Sequence, residues 1–395
     1  MSPSIGRRSL LTHLGTAVAG AAAGAGAGVA LAPASDAATG PTPPGRTISP
    51  WGRHQPGITQ PTPPVAELVA LTLRPEALRD PDALGRLLRV WTTDVEALTA
   101  GRGAPGDTTP WLASAHSDLT ITVGLGRRAL RGRARPAGFE PVPAMRHDRL
   151  LPAWCGGDLL VQVMGREGTT VAHAVRRMVA DAGPWATLAW RQSGSWNGTG
   201  PDGRPVTGRN HFGQVDGSAN PPAGSELFDR TVWITEGPWA GGTTLVVRRI
   251  EMDLTTWDEL TGDEQEASTG RRLADGTPLT GGAELDDVDL LATDETGQRR
   301  IALDAHVRRS HPSVNAGARI HRRGLNYVHV DGTEVTSGLV FLSHQRDLAG
   351  QFTPIQQTLD DSDALNEWTT AIGSAEFALL PGFTQGTWLG HQIFS

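Results

Sequence analysis

Residues 158–192 read DLLVQVMGREGTTVAHAVRRMVADAGPWATLAWRQ, and the pattern changes twice within them. The stretch 158–164 reads as a strand, 171–179 as a helix, and 187–192 as a further strand. Working outward, 65–73 (VAELVALTL) is a strand candidate. Residues 82–98 carry helical apolar spacing through Leu84, Leu87, Leu88, Trp91 and Val95, and 119–125 (LTITVGL) alternates as a strand does. The order strand–helix–strand, then strand–helix–strand, is that of a split ferredoxin-like unit.

The C-terminal part repeats this plan without residue-level self-similarity. Strands are expected at 243–252, 326–330 and 339–344, with helices at 257–266 and 363–372. The expected fold class is α+β: two ferredoxin-like halves, 65–230 and 231–395, pair their sheets into a dimeric α+β barrel-type domain with helices outside. Two long segments, 193–229 and 267–317, lack regular patterning, and such segments inside a compact domain are usually functional.

At 395 residues the chain can bury a large core. Its net charge is -7, and with no basic run it offers nothing to neutralise a phosphate backbone, so no nucleic-acid partner is expected. Every cationic side chain is Arg, since no Lys occurs. Cys155 is the only cysteine, which excludes an internal disulfide; beside Gly156 and Gly157 it reads as a small buried hydrophobe.

Residues 1–38 read as an address. The pair Arg7-Arg8 precedes an Ala/Gly/Val-rich stretch without acids, and small-residue cleavage sites follow at 32–37. This is the pattern of a twin-arginine signal peptide, directing the chain to the cell envelope or beyond. The stretch is too glycine-rich for a good spanning helix, so no stable membrane insertion is expected. Residues 39–64, rich in Pro, Gly and Thr, read as an extended arm or linker.

Three motifs carry candidate chemistry. In 212–221 (FGQVDGSANP), Asp216 is flanked by small residues that let a bulky, flat group approach the backbone. In 304–312 (DAHVRRSHP), His306 and His311 compete as an imidazole donor, which would need an acceptor on its second ring nitrogen. In 318–327 (ARIHRRGLNY), Arg322 or Arg323 offers a permanent positive charge for a closed pocket.

Taken in order, these motifs resemble the dye-decolorizing haem peroxidases, in particular an exported bacterial branch that includes deferrochelatase-like proteins. The G-x-x-D-G motif matches 213–217, and the resemblance extends through 155–160, 241–253, 351–356 and 390–394. It implies haem b (iron protoporphyrin IX) bound in the C-terminal half, with His306 as proximal iron ligand. It further implies that Asp216 and Arg322 are the catalytic distal pair. Gly217, Ser218, Ala219, His311, Pro312 and Ser313 would lie along the haem, and residues 339–342 would form an apolar distal wall.

The activity so implied is reduction of hydrogen peroxide and oxidation of dyes, phenolics or other bulky organic reductants through a ferryl intermediate. A carboxylate base works at acidic pH where an imidazole is protonated, so an acidic optimum is expected. Asp363 and Glu367 are candidates to support His306, and Tyr327 or a surface Trp to relay electrons. A homo-oligomer is a further expectation. The competing readings are a deferrochelatase in iron uptake, a haem-storage protein, for which Asp216 and Arg322 are unneeded, and a chlorite-dismutase-like activity resting on fold analogy alone.

Overall fold

A computed structural model describes residues 45–200 and 204–395. The expected signal peptide and the first residues of the arm lie outside them. Eight strands form a closed antiparallel barrel: β1 (Val65–Leu73), β2 (Thr120–Leu125), β3 (Leu159–Gly165), β4 (Ala186–Ser195), β5 (Thr243–Met252), β6 (His321–Asp331), β7 (Glu334–Gln345) and β8 (Thr369–Leu379). Around the barrel the order is β1-β3-β2-β8-β5-β7-β6-β4. Cut at two seams, this is β4-β1-β3-β2 beside β8-β5-β7-β6, the same ferredoxin-like order twice. The seams are narrow: Gly124↔Leu379 and Leu125↔Ala378 join β2 to β8, and Ser195↔Asn326 joins β4 to β6.

Strand alternation explains the two cores. On β1 and β3, Val69, Leu71, Val161 and Val163 pack outward under the helices α1 (Ala83–Thr99) and α2 (Gly168–Ala182), meeting Leu87, Trp91, Val175 and Met178. Their alternates Leu68, Ala70, Leu160 and Met164 join Leu245, Val247, Leu325 and Phe377 in the barrel lumen. Residues covered on both faces explain why β3 reads as one apolar run. Trp91 anchors the helix pair by donating its Nε1–H to the Met178 carbonyl at 2.9 Å.

Four further helices border the second half: α3 (Glu226–Val232), α4 (Gly262–Thr269), α5 (His306–Arg309) and α6 (Thr353–Ser362). Two sequence expectations fail here. The helix expected over 257–266 is broken into a turn at Leu254–Trp257 and α4, because Thr261 caps α4 in a reciprocal capping box with Glu264. The helix expected over 363–372 is a single 3-10 turn, Ala364–Glu367, followed by β8. Closing the barrel between β2 and β5 outweighs the helical propensity of that stretch.

The described part of the arm, 45–64, is docked rather than free. Gln55 donates to the carbonyls of Val123 and Leu380 and accepts from the Val123 N–H, while Ile58 is fully buried in the lumen core. Cys155 is half-buried, not enclosed as expected. Among the described residues no helix is long and apolar enough to cross a membrane.

Candidate active site

Two adjoining cavities open between the 207–225 loop, β6, β7, α5 and α6, and share Gln214, His306, Arg322, Phe341 and Leu359 in their walls. The loop brings Asp216 there. Its N–H donates to the Gly208 carbonyl (2.9 Å), and Gly217 adopts φ +133°, a left-handed region open to glycine. Asp216 Oδ1 lies 3.5 Å from Arg322 Nη2, and Asn210 Nδ2 donates to Asp216 Oδ2 at 3.4 Å.

Arg322 and Arg323 are neighbours on β6 and therefore point to opposite faces. Arg322 lines both cavities. Arg323 is buried on the lumen side, where it donates to the Gly57 carbonyl and lies 3.6 Å from Met164 Sδ; burial pushes its guanidinium down to about 10. Side-chain direction thus makes Arg322 the cavity arginine.

The histidines separate by what their ring nitrogens hold. His306 opens α5, and its Nδ1 is 2.6 Å from Asp363 Oδ2. Asp363 is itself fixed: its other oxygen accepts the Leu365 N–H at 3.1 Å, and the next residue's N–H donates to the Asp304 carbonyl at 2.9 Å. With Nδ1–H donated, Nε2 keeps its lone pair, and among the described residues no hydrogen bond reaches it. His311 is occupied at both ends. Nδ1 accepts from the Ser313 N–H (3.2 Å), and Nε2 is 3.0 Å from Asp287 Oδ1. Burial works to raise the Asp287 carboxyl, but the bond and charge of His311 bring it below its ordinary value. Of the two, His306 is the one with a nitrogen to offer a metal. Glu367 takes no part in this pair.

Ser218, Ala219, His311 and Pro312 line the cavity, whereas Gly217 and Ser313 do not. Of residues 339–342, Leu339 and Phe341 face the cavity; Val340 and Leu342 are fully buried on the lumen side, as strand alternation requires. Tyr327 does not reach the surface: it is 3 % exposed, with the Arg249 guanidinium 4.5 Å from its ring centroid and half-buried Trp154 on that guanidinium at 3.7 Å.

Sequence reading missed Arg271, a buried cavity residue whose guanidinium donates to the carbonyls of Gly276, Glu284 and Asp286. Burial and then the Arg322 charge lower its pKa. Nothing in its irregular segment distinguishes it. Gln214 and Asn220 were also missed as wall residues, although both sit within the Asp216 motif.

Comparison with known proteins bears on this site. A family model described as Dyp-type peroxidase, N-terminal, matches residues 55–195, and one described as Dyp-type peroxidase, C-terminal, matches 207–384. The chain is 38% identical to the dye-decolorizing peroxidase of Thermobifida fusca (strain YX), over 86% of this chain and 83% of that one. It is 31% identical to the deferrochelatase of Escherichia coli (strain K12), over 84% and 83%. Among solved structures it resembles a DyP-type peroxidase from Cellulomonas bogoriensis, with 42% identity, a TM-score of 0.81, and 88% and 98% of the two chains covered. An oxyferrous complex of DtpA from Streptomyces lividans gives 35%, 0.83, 89% and 98%.

Proposed function

The chain belongs to the Dyp-type peroxidase family, whose members are haem enzymes, and from that premise we propose that haem b occupies the cavity between His306 and the Asp216–Arg322 pair. The protein is a peroxidase: an oxidoreductase that takes hydrogen peroxide and a reducing substrate. The observation that carries the site reading is the His306–Asp363 pair, which leaves a bare Nε2 on a cavity whose walls also carry Asp216 and Arg322.

The donor set fits the group. One imidazole, its second nitrogen anchored by a carboxylate, is a donor that would suit haem iron. Ser218, Ala219 and Pro312 allow close approach along one wall, and Leu339 and Phe341 supply an apolar one. When bound, haem supplies a redox-active iron that takes up the oxidising equivalents of peroxide.

The residues' own part is proton and charge management. Asp216 accepts a proton from hydrogen peroxide and returns it to the oxygen that leaves as water, acting as base and then acid. Arg322 Nη2, already 3.5 Å from Asp216 Oδ1, stabilises the negative charge that develops as the O–O bond breaks. Asp363 holds the His306 tautomer and orientation. Bulky dyes and phenolics are the proposed reductants. Export by the twin-arginine route, a division into halves 65–230 and 231–395, and self-association belong to the same reading.

The test is the Soret spectrum of the purified holoprotein before and after one equivalent of peroxide. Asp216→Asn should keep the resting band but slow its response by about 10²-fold or more. His306→Ala should lose or displace the resting band itself. An undiminished response in Asp216→Asn, or activity peaking at pH 8 or above, removes Asp216 from the role.

A further inference from the structure

The turn that carries Asp216 also carries Asn220, whose N–H closes it onto the Gly217 carbonyl at 2.9 Å. The Asn220 side chain reaches across to β6 and grips a single peptide position. Its Oδ1 accepts the Arg322 N–H at 3.0 Å, and its Nδ2 donates to the Arg322 carbonyl at 2.8 Å.

The need for such a grip follows from the sheet. Arg322 pairs with Ser343 on β7, but β6 meets β4 only at Ser195↔Asn326. In an antiparallel strand the N–H and C=O of one residue point to the same side. At Arg322 both point away from β7, toward the edge β4 does not cover, where they would otherwise be orphaned. The Asn220 amide, one acceptor beside one donor, stands in for the missing strand. Pro221 restricts the Asn220 backbone to extended conformations, and Pro221 is itself buried, so the grip sits on a stiff support.

We infer that Asn220 is a positioning residue: by bracketing the Arg322 peptide it holds the Arg322 guanidinium in register with the Asp216 carboxylate carried on the same turn. The inference rests on the reading of Arg322 given above. A merely structural role for Asn220 would satisfy the strand edge and leave the guanidinium's action untouched, so the test must separate the two.

The experiment is a double-mutant cycle in holoprotein, reading the second-order rate at which hydrogen peroxide changes the haem absorption. Arg322→Ala should slow the reaction about a hundredfold. Asn220→Ala should slow it about tenfold, with the resting spectrum and the KM for reductant unchanged. In the Arg322→Ala background, Asn220→Ala should cost nothing more. A wild-type rate in Asn220→Ala, or an equal tenfold loss in both backgrounds, overturns the inference while leaving Arg322 in place. An undiminished rate in Arg322→Ala overturns the reading of Arg322 itself. If Asn220→Ala does not retain haem, Asn220→Asp keeps the acceptor for the N–H and loses the donor to the carbonyl. It should show a smaller loss, and a wild-type rate there overturns the inference.

Discussion

Asp363 shows what one carboxylate sets at the residue scale. Holding the His306 Nδ1–H at 2.6 Å, it makes the imidazole a stronger donor at Nε2. Asp363→Asn should weaken haem affinity about 10- to 100-fold and raise the ferric/ferrous midpoint potential, both measurable by haem titration and spectroelectrochemistry. Glu367→Gln should do neither. Asp216 was legible from its motif, because a carboxylate beside Gly217 is a local pattern. Two alternatives stayed open for physical reasons. Arg322 and Arg323 differ only in which face of β6 they occupy, and facing depends on barrel register. His306 and His311 differ only in partners, Asp363 and Asp287, that the chain delivers from far along the sequence.

Among the elements, the interface between α1 and α2 carries the clearest pH dependence. Asp94 on α1 is buried against Asp181 of α2, which Arg177 binds through both carboxylate oxygens at 2.7 Å. Burial first, and then the Asp181 charge, push the Asp94 carboxyl up to about 7. The folded state therefore keeps a proton that the unfolded chain has released above the ordinary value of 3.8, so this site's contribution is full below that value and is lost as pH rises to about 7. Asp94→Asn should stabilise the protein by on the order of 1 kcal/mol at pH 8 and by little at pH 4, as read from urea midpoints. Equal effects at the two pH values would refute this.

Element type was legible where pattern and propensity agree. The run VAELVALTL is β1 and the run 243–252 is β5, residue for residue. It failed at 363–372, where helix formers occupy a stretch the barrel needs as a strand.

For the whole molecule, the lumen contributes a sensitivity to acid through two histidines. His344 is fully buried, opposite His321 across β6 and β7, and among the described residues neither of its ring nitrogens has a hydrogen-bond partner. Burial, then the neighbouring charges, hold His321 at about 3 and His344 well below 6.5. The unfolded chain accepts protons below 6.5 that the folded barrel refuses, so stability declines as pH falls from about 6.5 toward 3. His344→Leu, close in size and apolar, should flatten that decline in melting temperature measured from pH 7 to 4; an unchanged slope would count against it.

The two-seam barrel also bears on how the chain can change over generations. Both halves share one strand order, yet His306, Arg322 and Asp363 all belong to the second, and Asp216 lies on the segment leading into it. A substitution among β1 to β4 is answerable mainly to folding. One in the second half answers to folding and chemistry together. A duplicated architecture that assigns its reactive groups to one copy leaves the other free to drift, so a mutational scan for activity should find tolerance distributed as unevenly as the labour.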